Sequence, residues 1–82
     1  MSRNDPTEIL VALHVNSPRG AAVRVSIDGH DARGKWIAKS LIASMHETGR
    51  TTRGTDRDGH GVILPMANMV IPEWLALREE LI

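Results

Sequence analysis

Apolar and polar residues alternate most cleanly near the start of the chain. Across Glu8–Asn16, Ile9, Val11, Leu13 and Val15 share one parity, and Glu8, Leu10, Ala12 and His14 share the other. A period of two over this length predicts a strand. Ser17-Pro18-Arg19-Gly20 then reads as a turn, because Pro18 presets φ at the second position and Gly20 suits the fourth. Ala21–Ile27 alternates again, with Ala21, Val23, Val25 and Ile27 against Ala22, Arg24, Ser26 and Asp28. A turn this short permits only an antiparallel hairpin. Val23, Val25 and Ile27 are therefore expected inward beside Ile9, Val11 and Leu13, with Arg24 and Ser26 outward. Asp28-Gly29-His30-Asp31 ends the second strand, and polar chain continues to Gly34.

Lys35–Ile42 fits two periods. As a strand it sets Trp36, Ala38, Ser40 and Ile42 against Ile37, Lys39, Leu41 and Ala43. As a helix it aligns Trp36, Ile37, Ser40, Leu41, Ser44 and Met45, with Gly49 as a stop. Residue propensities alone lean towards the helix. His46–Gly61 has no apolar period and is rich in Gly, Thr, Arg and Asp, which predicts a long loop or an extended hairpin tip. His60–Ile71 is apolar on both parities, and Pro65 within it marks an edge, a bulge or a break. Pro72 is expected to start a short helix that buries Trp74, Leu75, Leu77, Leu81 and Ile82 and turns Glu73, Arg78, Glu79 and Glu80 to water. Met1–Thr7 is expected to fray. Together these elements predict a single α+β domain over residues 1–82. The expected form is a small bent antiparallel sheet or half-open barrel with a C-terminal helix.

Composition narrows the core. The chain has two Trp, no Phe and no Tyr, so its core must be aliphatic, and both Trp36 and Trp74 are expected to be buried in it. There is no Cys, which removes disulfide scaffolds and thiolate metal sites. The longest apolar runs fall far short of the ~20 residues that span a bilayer. No leader is read, and a cytoplasmic location is expected. Formal net charge is zero, which argues against a general polyanion binder. Charge is nonetheless uneven. Arg19, Arg24, Arg33, Lys35 and Lys39 outnumber Asp28 and Asp31 in the middle, while Glu73, Glu79 and Glu80 outnumber Arg78 at the end.

Three short motifs then occur in a familiar order. Val23-Arg24-Val25 precedes Trp36-Ile37-Ala38-Lys39-Ser40-Leu41-Ile42, and the chain closes on Pro72-Glu73-Trp74-Leu75-Ala76 and Leu81-Ile82. The set resembles small phage- and prophage-encoded proteins of unknown function that carry a Trp-hydrophobic-Pro-Lys-Ser-x-Ile motif. In that pattern the proline holds the residue before it extended, so the resemblance favours a strand at Trp36. Ala38 stands where the pattern has Pro, which leaves the chain after Ser40 open between strand and helix. Proteins of that kind are often shorter across His46–Gly61, which implies an insertion here. Their size and origin imply a bacterial host as the setting.

Candidate chemistry is sparse. His14, His30, His46 and His60 invite a metal reading, and Asp56, Asp58 and His60 lie close together. None has the one-face spacing of a helical zinc site. Asp56-Arg57-Asp58-Gly59 resembles the start of a calcium loop but lacks the Glu that closes one. No metal or other cofactor is expected. No Ser-His-Asp arrangement can be argued from sequence order alone, and catalysis is not expected. Arg50, Arg53 and Arg57 occupy one polar segment with Thr51, Thr52 and Thr55, suited to carboxylates or phosphates. Single-strand binders usually add stacking aromatics, which are not expected on this surface. The expected function is a non-enzymatic, phage-type protein that binds a larger protein or ribonucleoprotein complex. Inhibitors of bacterial immunity, anti-CRISPR proteins among them, are one class of such genes. Arg50, Arg53 and Arg57 are the expected contact residues, with Glu79 and Glu80 a second surface. Weak or no binding to free nucleic acid and none to membranes is expected, and a dimer remains open. The alternative is a small-barrel nucleic-acid-binding protein of phage replication or recombination.

Overall fold

In the computed structural model, which describes residues 5–82, the alternating N-terminal segments form the predicted hairpin. Strand β1 spans Pro6–Val15 and β2 spans Ala22–Ser26. They pair antiparallel, with Ala12 opposite Ser26 and Leu13 opposite Val25. The Ser17–Gly20 turn closes with Gly20 N–H donating to the Ser17 carbonyl at 3.0 Å. Strand β3, Lys35–Ala38, pairs with β2, and a 3-10 turn over Lys39–Leu41 follows it. Ala38 is extended at φ −63° and ψ 130°, so the chain keeps the conformation that proline would impose there.

Strands β4, Ser44–Thr55, and β5, Gly61–Pro72, complete one antiparallel sheet in the order β3-β2-β1-β5-β4. The sheet is not closed into a barrel. Of the two forms expected for residues 46–61, the structure has the extended hairpin tip and not the long loop: they hold most of β4, the turn Asp56–His60 and the first residue of β5. The second half of β5 lies between β1 and β4, whereas its first half, up to Pro65, pairs with β4 alone. Pro65 thus sits where β5 becomes an edge on its β1 side, the position a missing N–H tolerates. A bulge between Glu47 and Thr51, with Gly49 at φ +80°, interrupts the β4 ladder. Two twelve-residue strands at about 3.3 Å per residue account for the 40 Å long axis of the molecule. Pro6 and Thr7 pair with Pro72 and Ile71 and do not fray, while Met1–Asn4 lie outside the described residues.

One face of the sheet carries the core. Ile9, Val11 and Leu13 of β1, Val23 and Val25 of β2, Ile37 of β3 and Ala67, Met69 and Ile71 of β5 are all buried there. Helix α1, Glu73–Arg78, covers this face through Leu75 and Ala76, and Leu81 follows them in. Leu77 and Ile82, expected in the stripe, are exposed. The helix ends in a Schellman motif: Leu81 N–H reaches the Ala76 carbonyl at 2.8 Å, and Glu80 N–H reaches that of Leu77 at 3.2 Å. Glu80 takes the left-handed position of this motif, at φ +56°.

Several residues differ in burial from what the sequence pattern predicts. Ile27 is exposed, because the second strand ends at Ser26 and the chain turns away. Trp36 is 55% exposed rather than buried. Ile37 pairs with Val23 and takes the core side, which sends Trp36 to the other face opposite Arg24. Trp74 is partly buried and packs against the core. Ser26, expected outward, is completely buried beneath the segment that follows it.

Candidate functional site

The second face of the sheet builds the site. Arg24 and Ser26 of β2, His14 of β1 and Trp36 of β3 emerge on it, and residues 27–34 fold back over its end. Ser26 Oγ lies 2.7 Å from His14 Nε2 and accepts the Gly29 N–H at 2.9 Å. On its other side, His14 Nδ1 stands 3.7 Å from Asp31 Oδ1. Arg24 donates from Nε to that same carboxylate oxygen at 3.0 Å and from Nη2 to the Asp31 carbonyl at 2.8 Å. Gly34 makes room for the guanidinium, since a Cβ there would lie 2.9 Å from its central carbon. The outer side of the guanidinium stacks over Trp36, 5.6 Å from the ring centroid.

Electrostatics follow from this packing. Burial holds His14 below the usual histidine range, outweighing the opposing pull of Asp31. The hydrogen bond from Arg24 holds Asp31 below the usual carboxylate range, with smaller help from the charges of Arg24, His14 and Arg57. With Gly29 N–H already donating to Ser26 Oγ, the Ser26 hydroxyl is free to donate to a neutral His14 at Nε2, which leaves the His14 Nδ1 proton facing Asp31. Every buried side-chain polar atom among the described residues has a hydrogen-bond partner.

Serine, histidine and aspartate thus converge in an order that sequence position concealed. The geometry makes the trio structural. Ser26 has no solvent exposure, and its oxygen is already held by Gly29 and His14. An electrophile cannot reach Oγ unless the 27–34 segment lifts away.

Beside the trio runs an open groove of about 770 Å³, within the ~300–1,000 Å³ range of ligand clefts. Trp36, Val15 and Ile63 are exposed around it, and Leu64 lies at its base. Asp31 lies on one side, with Asp56 and Arg57 from the turn of the β4–β5 arm. The groove exists because the arm bends back on the sheet. Thr55 N–H donates to the Gly29 carbonyl at 3.0 Å, and His30 bridges Thr55.

The expected contact residues divide between separate surfaces. Arg57 enters this groove, while Arg53 pairs with Ile63 on the arm and lines a shallower depression beside it. Arg50 is exposed at the β4 bulge. None of the three makes an ion pair among the described residues, in contrast to Arg24, Arg33 and Arg78. Glu79 and Glu80 line a different groove, with Ile27, Arg33 and Lys35. Trp36, expected in the core, is a surface residue of the groove that Arg57 enters. The signal for it was available, because placing Val23 and Ile37 inward obliges their neighbours Arg24 and Trp36 to face the other way.

Asp56, Asp58 and His60 place one potential ligand atom each within 4.8 Å of one another. Asp56 Oδ1 is already occupied by the Asp58 and His60 N–H groups, at 2.9 and 2.8 Å. The trio therefore reads as the cap of the hairpin turn. No helix among the described residues is long and apolar enough to cross a membrane. Comparison with protein families, with known proteins and with solved structures gave no match.

Proposed function

We propose that this chain is a non-enzymatic, phage-type protein that docks on a larger protein or ribonucleoprotein complex of a bacterial host. The observation that carries this reading is Trp36, half exposed at the rim of an apolar groove with the Arg24 guanidinium over its ring. Tryptophan and arginine dominate binding hot spots, and exposed apolar side chains gathered in one place, here Trp36, Val15 and Ile63, mark interaction surfaces. Charge around the groove is mixed, with Arg24 and Arg57 against Asp31 and Asp56. A mixed rim suits a protein partner better than a polyanion. The Trp36–Ile42 and Pro72–Ala76 motifs support the phage setting, and inhibition of bacterial immunity is one role such a protein would fill.

A second reading draws on the same residue. An exposed indole beside arginines is also a platform on which a nucleotide base can stack, as in a small nucleic-acid-binding protein. Affinity capture from a bacterial lysate, with and without nuclease, separates the two. The protein-docking reading expects a captured protein that survives nuclease treatment. Capture that nuclease abolishes, or tight and steeply salt-dependent binding to bare DNA or RNA, rejects it.

A further inference from the structure

The charges around the Trp36 groove are not equally committed. Asp31 is held by Arg24 through its side chain and carbonyl and faces His14. Asp56 holds two backbone N–H groups and lies 3.7 Å from the His60 ring. Both acids in the groove are therefore occupied within the molecule. Arg57 has no ion-pair partner among the described residues, and neither has Arg53 on the adjoining stretch of the arm. The charge left for a ligand is positive, and it lies next to the exposed apolar surface of Trp36, Val15 and Ile63. Guanidinium groups pair best with planar carboxylates, in a two-pronged geometry.

We propose that the groove between Trp36 and Ile63 receives a short acidic segment of a partner protein, with an apolar side chain against Trp36 and a carboxylate on Arg57. This inference rests on the protein-docking reading and gives its partner a chemistry. The cleft is open to solvent, and Trp36 of the edge strand β3 stands at its boundary. Such a cleft suits an extended peptide, whose side chains alternate between the groove and its rim.

Selection from a displayed library of short random peptides tests the proposal. The parent, Trp36→Ala and Arg57→Glu serve as baits, each first shown to be folded by its thermal transition. The parent is expected to enrich sequences that pair an aromatic or aliphatic residue with Asp or Glu. Arg57→Glu should reverse the selected charge to Lys or Arg, and Trp36→Ala should weaken the best parent peptide about tenfold or more. No enrichment, enrichment without acidic residues, or a charge preference indifferent to Arg57→Glu overturns the proposal. So does a dimer that Trp36→Ala dissolves, or single-stranded DNA that competes for the same groove, because each installs another occupant. The two levels of inference fail separately. A nuclease-resistant partner that binds Trp36→Ala as well as the parent defeats the groove assignment alone, whereas capture lost to nuclease defeats the protein-docking reading.

Discussion

Gly54 lies against Gly29 so closely that a Cβ on Gly54 would stand 2.1 Å from the Gly29 carbonyl oxygen and 2.7 Å from Leu64 Cδ1. The same carbonyl accepts the Thr55 N–H, and Gly29 itself sits at φ +87°. This contact seats the β4–β5 arm on the segment after β2, and the groove exists because of it. Gly54→Ala is expected to cost about 1–3 kcal/mol or more, as overpacking against backbone does. Gly61→Ala is the control, since nothing lies within 4 Å of a Cβ there. Urea denaturation of the two variants checks the contrast, and equal midpoints would refute the seating.

The Ser26–His14 contact makes the opposite kind of prediction, a loss of satisfied bonds. Ser26→Ala strands the Gly29 N–H and His14 Nε2 in a buried setting, at an expected cost of about 1–3 kcal/mol. Because the two residues share one network, combining it with His14→Gln should cost less than the sum of the single changes. A fully additive double mutant in urea would show the network to be uncoupled.

Acid should also weaken the fold through His14. Its folded-state affinity for protons lies below the unfolded value of 6.5, chiefly through burial. As pH falls below about 6.5 the unfolded chain takes up the proton first, so stability drops until the lowered folded-state pKa is reached. Asp28 and Asp31 are lowered too, by the His30 N–H and by Arg24 respectively. Their contribution is present above the unfolded value of 3.8 and is lost below it. The fall in urea midpoint between neutral and mildly acidic pH should be smaller in His14→Gln than in the parent.

Much of the sheet was legible in the sequence, because its first two strands carry an alternation that one buried face imposes. Pro18 and Gly20 then marked the turn that sets their register. Strand β4 was not legible. It is an edge strand whose outer half stands in a two-stranded arm, so Glu47, Thr48, Arg50 and Arg53 meet water and no apolar period is written. Ser26 misled for another reason. Alternation does put it on the face opposite the core, but residues 27–34 cover that face, and such coverage is a long-range fact. Of the site, the polar Arg- and Thr-rich run points to Arg57 as a contact residue. His14, Asp31 and Ser26 could not be joined without knowing that the chain folds back there.

Glu80 offers a stabilising change. It holds the left-handed C′ position of the helix at φ +56°, which costs a residue with a Cβ about 1 kcal/mol relative to glycine. Glu80→Gly is expected to raise stability by about 0.5–1 kcal/mol, seen as a higher urea midpoint. A lower midpoint would show that the Glu80 side chain makes a contact worth more than the strain.

The two tryptophans should part company. Trp74 packs on the core beside Leu75, so Trp74→Ala is expected near the lower end of the ~3–5 kcal/mol range for such truncations. Trp36 is mostly in water, and Trp36→Ala should cost about 1 kcal/mol or less, chiefly the stack with Arg24. Equal losses in thermal denaturation would return Trp36 to the core.

That difference allows Trp36 to be removed without unfolding the protein, so its role on the surface can be tested alone. The decisive measurement is the affinity of folded Trp36→Ala, relative to the parent, for the protein captured from a nuclease-treated lysate. Docking through the groove predicts a loss of about 2 kcal/mol or more, taken mainly as faster dissociation. Parental affinity in the folded variant would contradict the account.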